Sequence, residues 1–110
     1  MKIYNLPDIS QESQVDASYI INNTTYDISF YNREDLILID IYKKHNGENL
    51  TLVKGLPVVK DINLIDRIKN PELITGSLYI TNKSGSDSEM YSMNFSDDFE
   101  LVYYSEEENH

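Results

Sequence analysis

The chain has no cysteine and no tryptophan, only four glycines and three prolines, and fewer than half as many basic as acidic side chains. Each shortage excludes something. Without cysteine there is no disulfide, no thiolate metal site and no cysteine nucleophile, and nothing in the chain calls for an oxidising compartment. The core must then stand on packing alone. No segment approaches the ~20 consecutive apolar residues of a membrane-spanning helix. The opening stretch MKIYNLPDIS is broken by Asn5, Pro7 and Asp8 where a signal peptide needs an apolar run, so a soluble protein made in the cytoplasm is expected. Nineteen acids against nine Lys and Arg leave a net charge of −10, which opposes binding to nucleic-acid phosphate and to acidic membrane surfaces.

The parts of an enzyme are equally scarce. The glycines are isolated at turns and form no phosphate loop, and the serines sit in no nucleophile elbow. His45 lies in the polar turn KKHNGE and His110 is the last residue, and neither has the fixed partners that catalysis or zinc binding requires. Asp87, Glu89 and the pair Asp97-Asp98 match no dedicated calcium loop. Paired acids for glycoside hydrolysis need a sizeable cleft, which a single core of this size rarely offers. The reading is therefore of a protein that is not an enzyme, with no cofactor, no metal and no small-molecule substrate.

What is present is alternation. In QVDASYII, Val15, Ala17, Tyr19 and Ile21 alternate with polar residues, and in TTYDISFY so do Tyr26, Ile28 and Phe30. Asn22-Asn23 between them tolerates the left-handed backbone of a tight turn, so the pair reads as a hairpin. DLILIDIY comes next, then a second turn at Asn46-Gly47, then NLTLVKGLPVV. Pro57 cannot donate to a ladder and marks the latter as an edge strand. DINLIDRIKN repeats Ile62, Ile65 and Ile68 at helical spacing, with Asp61 as a cap and Asn70-Pro71 as a stop, and reads as one short helix or turn of helix. GSLYITN and FELVYY are further strands. The expected fold is mainly β: a small antiparallel β-barrel or sandwich of six to seven short strands with one short helix. Residues 1–104 form the single domain, and the acidic stretch 105–110 is a flexible tail.

DLILIDIY carries more apolar surface than one buried face needs. Ile37, Ile39 and Ile41 share one face and are expected to meet the core. Leu36 and Leu38 share the other with Asp40 and Tyr42, and need a second cover. Two are available: the helix over residues 61–70, or another protein chain, since assembly interfaces resemble cores cut in half.

The order of segments supplies a further reading. Tyr31-Asn32-Arg33 before a strand, Asp40-Ile41-Tyr42 within it, Asn46-Gly47, Gly55-Leu56-Pro57-Val58-Val59 and the Asp61-to-Leu64 opening of the helical turn succeed one another. GSLYITN and FELVYY follow, and IYNLP and YDISF precede. In that combination the chain resembles the cyanophage-type baseplate plug family of contractile phage tails and related particles, up to about Tyr104. The resemblance implies a non-enzymatic virion or tail-particle component, a small β domain packed between the spike or hub and the tail tube. Its partners would be other baseplate proteins, hub, spike, tube and wedge, in a homo-oligomeric ring. It also implies that Tyr31, Asn32, Arg33, Gly55, Leu56 and Pro57 shape turns at one end of the domain, where with Leu36 and Leu38 they meet a neighbouring subunit. Two other classes compete: an acidic mimic of nucleic acid that blocks a basic host protein, and a small carbohydrate-binding domain using tyrosines. The first lacks a one-sided carboxylate array and the second lacks tryptophan.

Overall fold

The computed structural model describes residues 1–33, 36–68 and 74–108. The described strands are β1 (Lys2–Asn5), β2 (Gln14–Ile21), β3 (Thr24–Arg33), β4 (Leu36–His45), β5 (Glu48–Pro57), β6 (Ser77–Asn82) and β7 (Phe99–Tyr104). They form two antiparallel sheets, a meander β2-β3-β4-β5 and a three-stranded sheet β1-β7-β6. The architecture is a sandwich and not a closed barrel.

Two hairpin turns set the register of the meander. Asn22 and Asn23 take φ of 51° and 64°, and Asn46 and Gly47 take 50° and 81°. Positive φ at both central residues is the geometry whose twist suits a two-residue hairpin. The register that follows puts Val15, Phe30 and Ile39 in line across β2, β3 and β4, and Ala17, Ile28 and Ile41 in the next row. With side chains alternating between faces, these rows and Ile37 point inward, where Ile28, Phe30, Ile37, Ile39 and Ile41 are all buried. The opposing sheet contributes Leu78, Ile80, Phe99 and Leu101 to the same core.

The period-three segment folds differently from expectation. Only Leu64–Arg67 is helical, as a 3₁₀ turn, and it lies against β6 and not over the outer face of β4. Asn63 is its cap in place of Asp61: its side-chain oxygen accepts from the N–H of Ile65 at 3.1 Å and of Leu78 at 2.9 Å. One amide thus caps the turn and docks it to the edge strand. Asp61 adopts φ of 64° and accepts from the Thr81 hydroxyl at 2.6 Å. Leu64, Ile65 and Ile68 are buried in the common core while Ile62 stays exposed. The expected stop at Asn70-Pro71 lies outside the described residues. The α-helical turn is instead α1 (Phe95–Asp98), which sends Phe95 into the core against Phe30, ring centroids 5.5 Å apart.

Tyrosines tie the sheets together. The Tyr4 hydroxyl donates to the Ile20 carbonyl at 2.8 Å, and the Tyr19 hydroxyl donates to the Asn5 carbonyl at 2.9 Å. Their rings meet edge to face at 5.6 Å. The two bonds cross between edge strands β1 and β2. Burial pushes the Tyr19 hydroxyl up to about 12. Tyr19 is neutral when protonated, so the stability it confers is complete below the ordinary phenol value near 10 and is lost as pH rises toward 12. Two units correspond to about 3 kcal/mol. Urea melts between pH 9 and 12 are expected to show a loss of that order, and Tyr19→Phe to reduce it, the rest coming from the other raised phenols Tyr4, Tyr26 and Tyr31.

Candidate functional site

With Ile37, Ile39 and Ile41 committed to the core, the other face of the meander decides what DLILIDIY is for. Cross-strand pairing arranges that face in rows. Gln14, Tyr31, Leu38 and Pro57 form one row through successive partners, and Arg33 pairs with Leu36 beside it. Leu36 is 55 % exposed, Pro57 is exposed, and Leu38 and Tyr31 are half-buried by one another. Past the end of β5 the Val58 N–H still bonds the Ile37 carbonyl at 2.8 Å, and Val59 follows with 48 % of its surface exposed. The result is an apolar strip, Tyr31, Leu36, Leu38 and Pro57, at one end of the sheet, with exposed Val59 just beyond β5 in the chain.

Apart from Ile20, exposed on β2, much of the rest of the face is polar and internally paired. Asp27 pairs with Lys44 at 3.4 Å and accepts from the Ser18 hydroxyl at 2.6 Å. Asp16, flanked by the Ser29 hydroxyl and then the Gln14 amide, titrates below the usual carboxylate range.

Asp40 holds the strip in shape. The β4-β5 ladder slips between Ile39 and Ile41, where Asp40 alone faces Lys54 and Gly55. Such a bulge leaves a backbone group unpaired and bends the strand. Here the Asp40 carboxylate accepts from the Gly55 N–H at 2.7 Å and from the Tyr31 hydroxyl at 3.0 Å. Gly55 takes φ of 67°, which favours glycine at this point. Burial and then the bond to Asp40 raise the Tyr31 hydroxyl above its ordinary value. The bulge lets Leu56 turn inward opposite Ile39 while Pro57 turns outward opposite Leu38.

The sequence-predicted residues therefore divide. Tyr31, Leu36, Leu38 and Pro57 come together on the outer face, with Arg33 and Gly55 at its margins. Asn32 and Leu56 do not join them. The Asn32 amide donates to the Ile9 carbonyl at 3.2 Å and its N–H to the Ser13 carbonyl at 3.3 Å, anchoring the segment between β1 and β2. Leu56 is a core residue, 7 % exposed. Nor are these residues turns: Tyr31–Arg33 end β3, and Gly55–Pro57 are the bulged end of β5. Among the described residues no three His, Cys, Asp or Glu side chains converge as metal ligands.

A family model described as cyanophage baseplate Pam3 plug gp18 matches residues 1–107. The chain belongs to that family. Membership of the cyanophage baseplate plug family makes it a structural component and places it in the tail baseplate of a virion, among other baseplate proteins. A search of the curated proteins finds no match. For a baseplate plug the apolar strip is the feature that asks for a partner. Sequence reasoning did not single out two residues next to it, Asp40 and Val59. An acid at an outward strand position facing a glycine on the next strand is the signal for the first. An apolar residue two positions after an edge proline is the signal for the second.

Proposed function

We propose that this chain is a non-enzymatic plug subunit that sits between the spike or hub and the tail tube, with the strip around Leu36 and Leu38 buried against a neighbouring subunit. The observation that carries this reading is the two-sided strand: β4 gives Ile37, Ile39 and Ile41 to its own core and presents Leu36 exposed and Leu38 half-buried on its other face. The strip is flanked by a rim of Gln14 and Arg33, the arrangement of an apolar centre with a polar margin found at stable interfaces. A homo-oligomeric ring suits a subunit whose strip lies at one end of one sheet, because a head-to-tail contact closes when its rotation divides a full turn. The charge of −10 supports solubility of free subunits before assembly.

Quantitative mass spectrometry of purified tail particles tests the placement. The chain is expected at a fixed ratio to tube and hub proteins, one that withstands high salt. Particles of full length that lack the chain would remove the reading.

A further inference from the structure

The inward stripe of β4 does not end as it begins. After Ile37, Ile39 and Ile41 the next residue on that side is Lys43, paired across the strands with Tyr26 and Leu50. Lys43 is half-buried and lines a pocket of about 180 Å³ between the two sheets, at the end of the sandwich marked by the Asn22-Asn23 turn. Asn22, Thr24, Tyr26, Thr75 and Tyr103 supply the polar wall. That wall is fixed in place. The Asn22 amide donates to the Tyr103 hydroxyl at 2.7 Å, and Tyr103 donates to the Thr75 carbonyl at 2.5 Å.

Lys43 itself makes no hydrogen bond and no ion pair among the described residues, whereas its neighbour Lys44 is paired to Asp27 on the opposite face. A half-buried cation with no counter-charge among the described residues is a site that an anion completes. Liquid water occupies about 30 Å³ per molecule, so the pocket has room for roughly six waters or for the end of one carboxylate side chain. The source of that carboxylate follows from the net charge of −10. The field of the whole chain repels free anions. A carboxylate carried by a chain already docked through other contacts arrives at high effective concentration and overcomes that repulsion.

We propose that the pocket is a socket for an acidic side chain of a neighbouring protein, which pairs with the Lys43 ammonium in the assembled particle. It rests on the assembly reading for the source of the carboxylate and on the pocket alone for its chemistry. Carbodiimide treatment of intact particles joins an ammonium to a touching carboxylate as an amide, with loss of water. The expected product is a peptide containing Lys43 joined to an Asp or Glu of another chain, absent from dissociated particles and from the Lys43→Arg variant. In competition with the unaltered chain, Lys43→Arg is expected to enter particles within twofold and Lys43→Gln at least tenfold less. Particles that contain the chain but give no Lys43 cross-link to a second chain would overturn the socket and leave the baseplate placement standing. Glutarate or inorganic phosphate bound to the isolated chain more tightly than about 1 mM, read by NMR at the Asn22 amide, would overturn the assignment to a partner's side chain.

Discussion

Gly76→Ala is expected to cost at least about 4 kcal/mol, beyond the ordinary range of single substitutions, or to prevent folding altogether. Gly76 sits at φ of 98°, and a methyl group there would lie 2.2 Å from the Tyr104 carbonyl oxygen and 2.8 Å from the Tyr103 hydroxyl. Neither neighbour can yield. The first is ladder backbone of β7 paired with Ser77. The second is held between Thr75 and Asn22, so displacing it unties the bond between the sheets. Gly47 is the matched control, with φ of 81° and open space where its methyl would go. Gly47→Ala is expected to lose about 1 kcal/mol, the cost of the left-handed backbone alone. Urea melts of the two variants separate conformational strain from collision, and a loss below about 1.5 kcal/mol in Gly76→Ala would contradict the packing described here.

The double variant Leu36→Ser with Leu38→Ser is expected to act on assembly and hardly on the fold. Leu36 stands in solvent and Leu38 is half-covered by Tyr31 and Pro57, so the isolated chain loses no more than about 2 kcal/mol. Full burial of a leucine against a partner contributes about 1.5–3 kcal/mol. Only their exposed parts are left to bury, together about one whole leucine, so losing both weakens association by about 10- to 100-fold, since each decade is about 1.4 kcal/mol. Ile39→Ala provides the contrast: one residue along the strand, buried in the core, it is expected to lose about 2–5 kcal/mol in the isolated chain. A melting point that fell as far in the double serine variant as in Ile39→Ala would show that the two leucines serve the fold and not a partner. The measurements are thermal melts of the free chains and incorporation into particles by competition.

Much of the meander was legible because its determinants are local. Asn22-Asn23 and Asn46-Gly47 supply positive φ within two residues, and alternation then assigns each side chain to a face. The inward set Ile37, Ile39 and Ile41 follows from that alone. Other features depend on residues far apart in the chain. The bulge that turns Leu56 inward is set by Asp40, 15 residues from Gly55, so a reading of GLPVV by itself places Leu56 with its neighbours. Asn63 caps its turn with the same oxygen that receives Leu78, a role no local spacing reveals. Spacing by three suits a 3₁₀ turn as well as an α-helix, so Ile62, Ile65 and Ile68 do not by themselves say which forms. β1 is only four residues long and two of its inter-sheet bonds come from tyrosines, so KIYN carries almost no periodic signal.

The strip is distinguishable from a merely exposed sheet face by its accessibility inside the particle, and the chain is suited to that measurement because it has no cysteine. Leu36→Cys introduces a single thiol at the most exposed leucine of the strip. Maleimide labelling is expected to go to completion in the free chain, to fall by more than tenfold in intact particles, and to recover when the particles are dissociated. A Leu36→Cys thiol that labels as fast in the intact particle as in the free chain would contradict the claim that this face is buried against a neighbouring subunit.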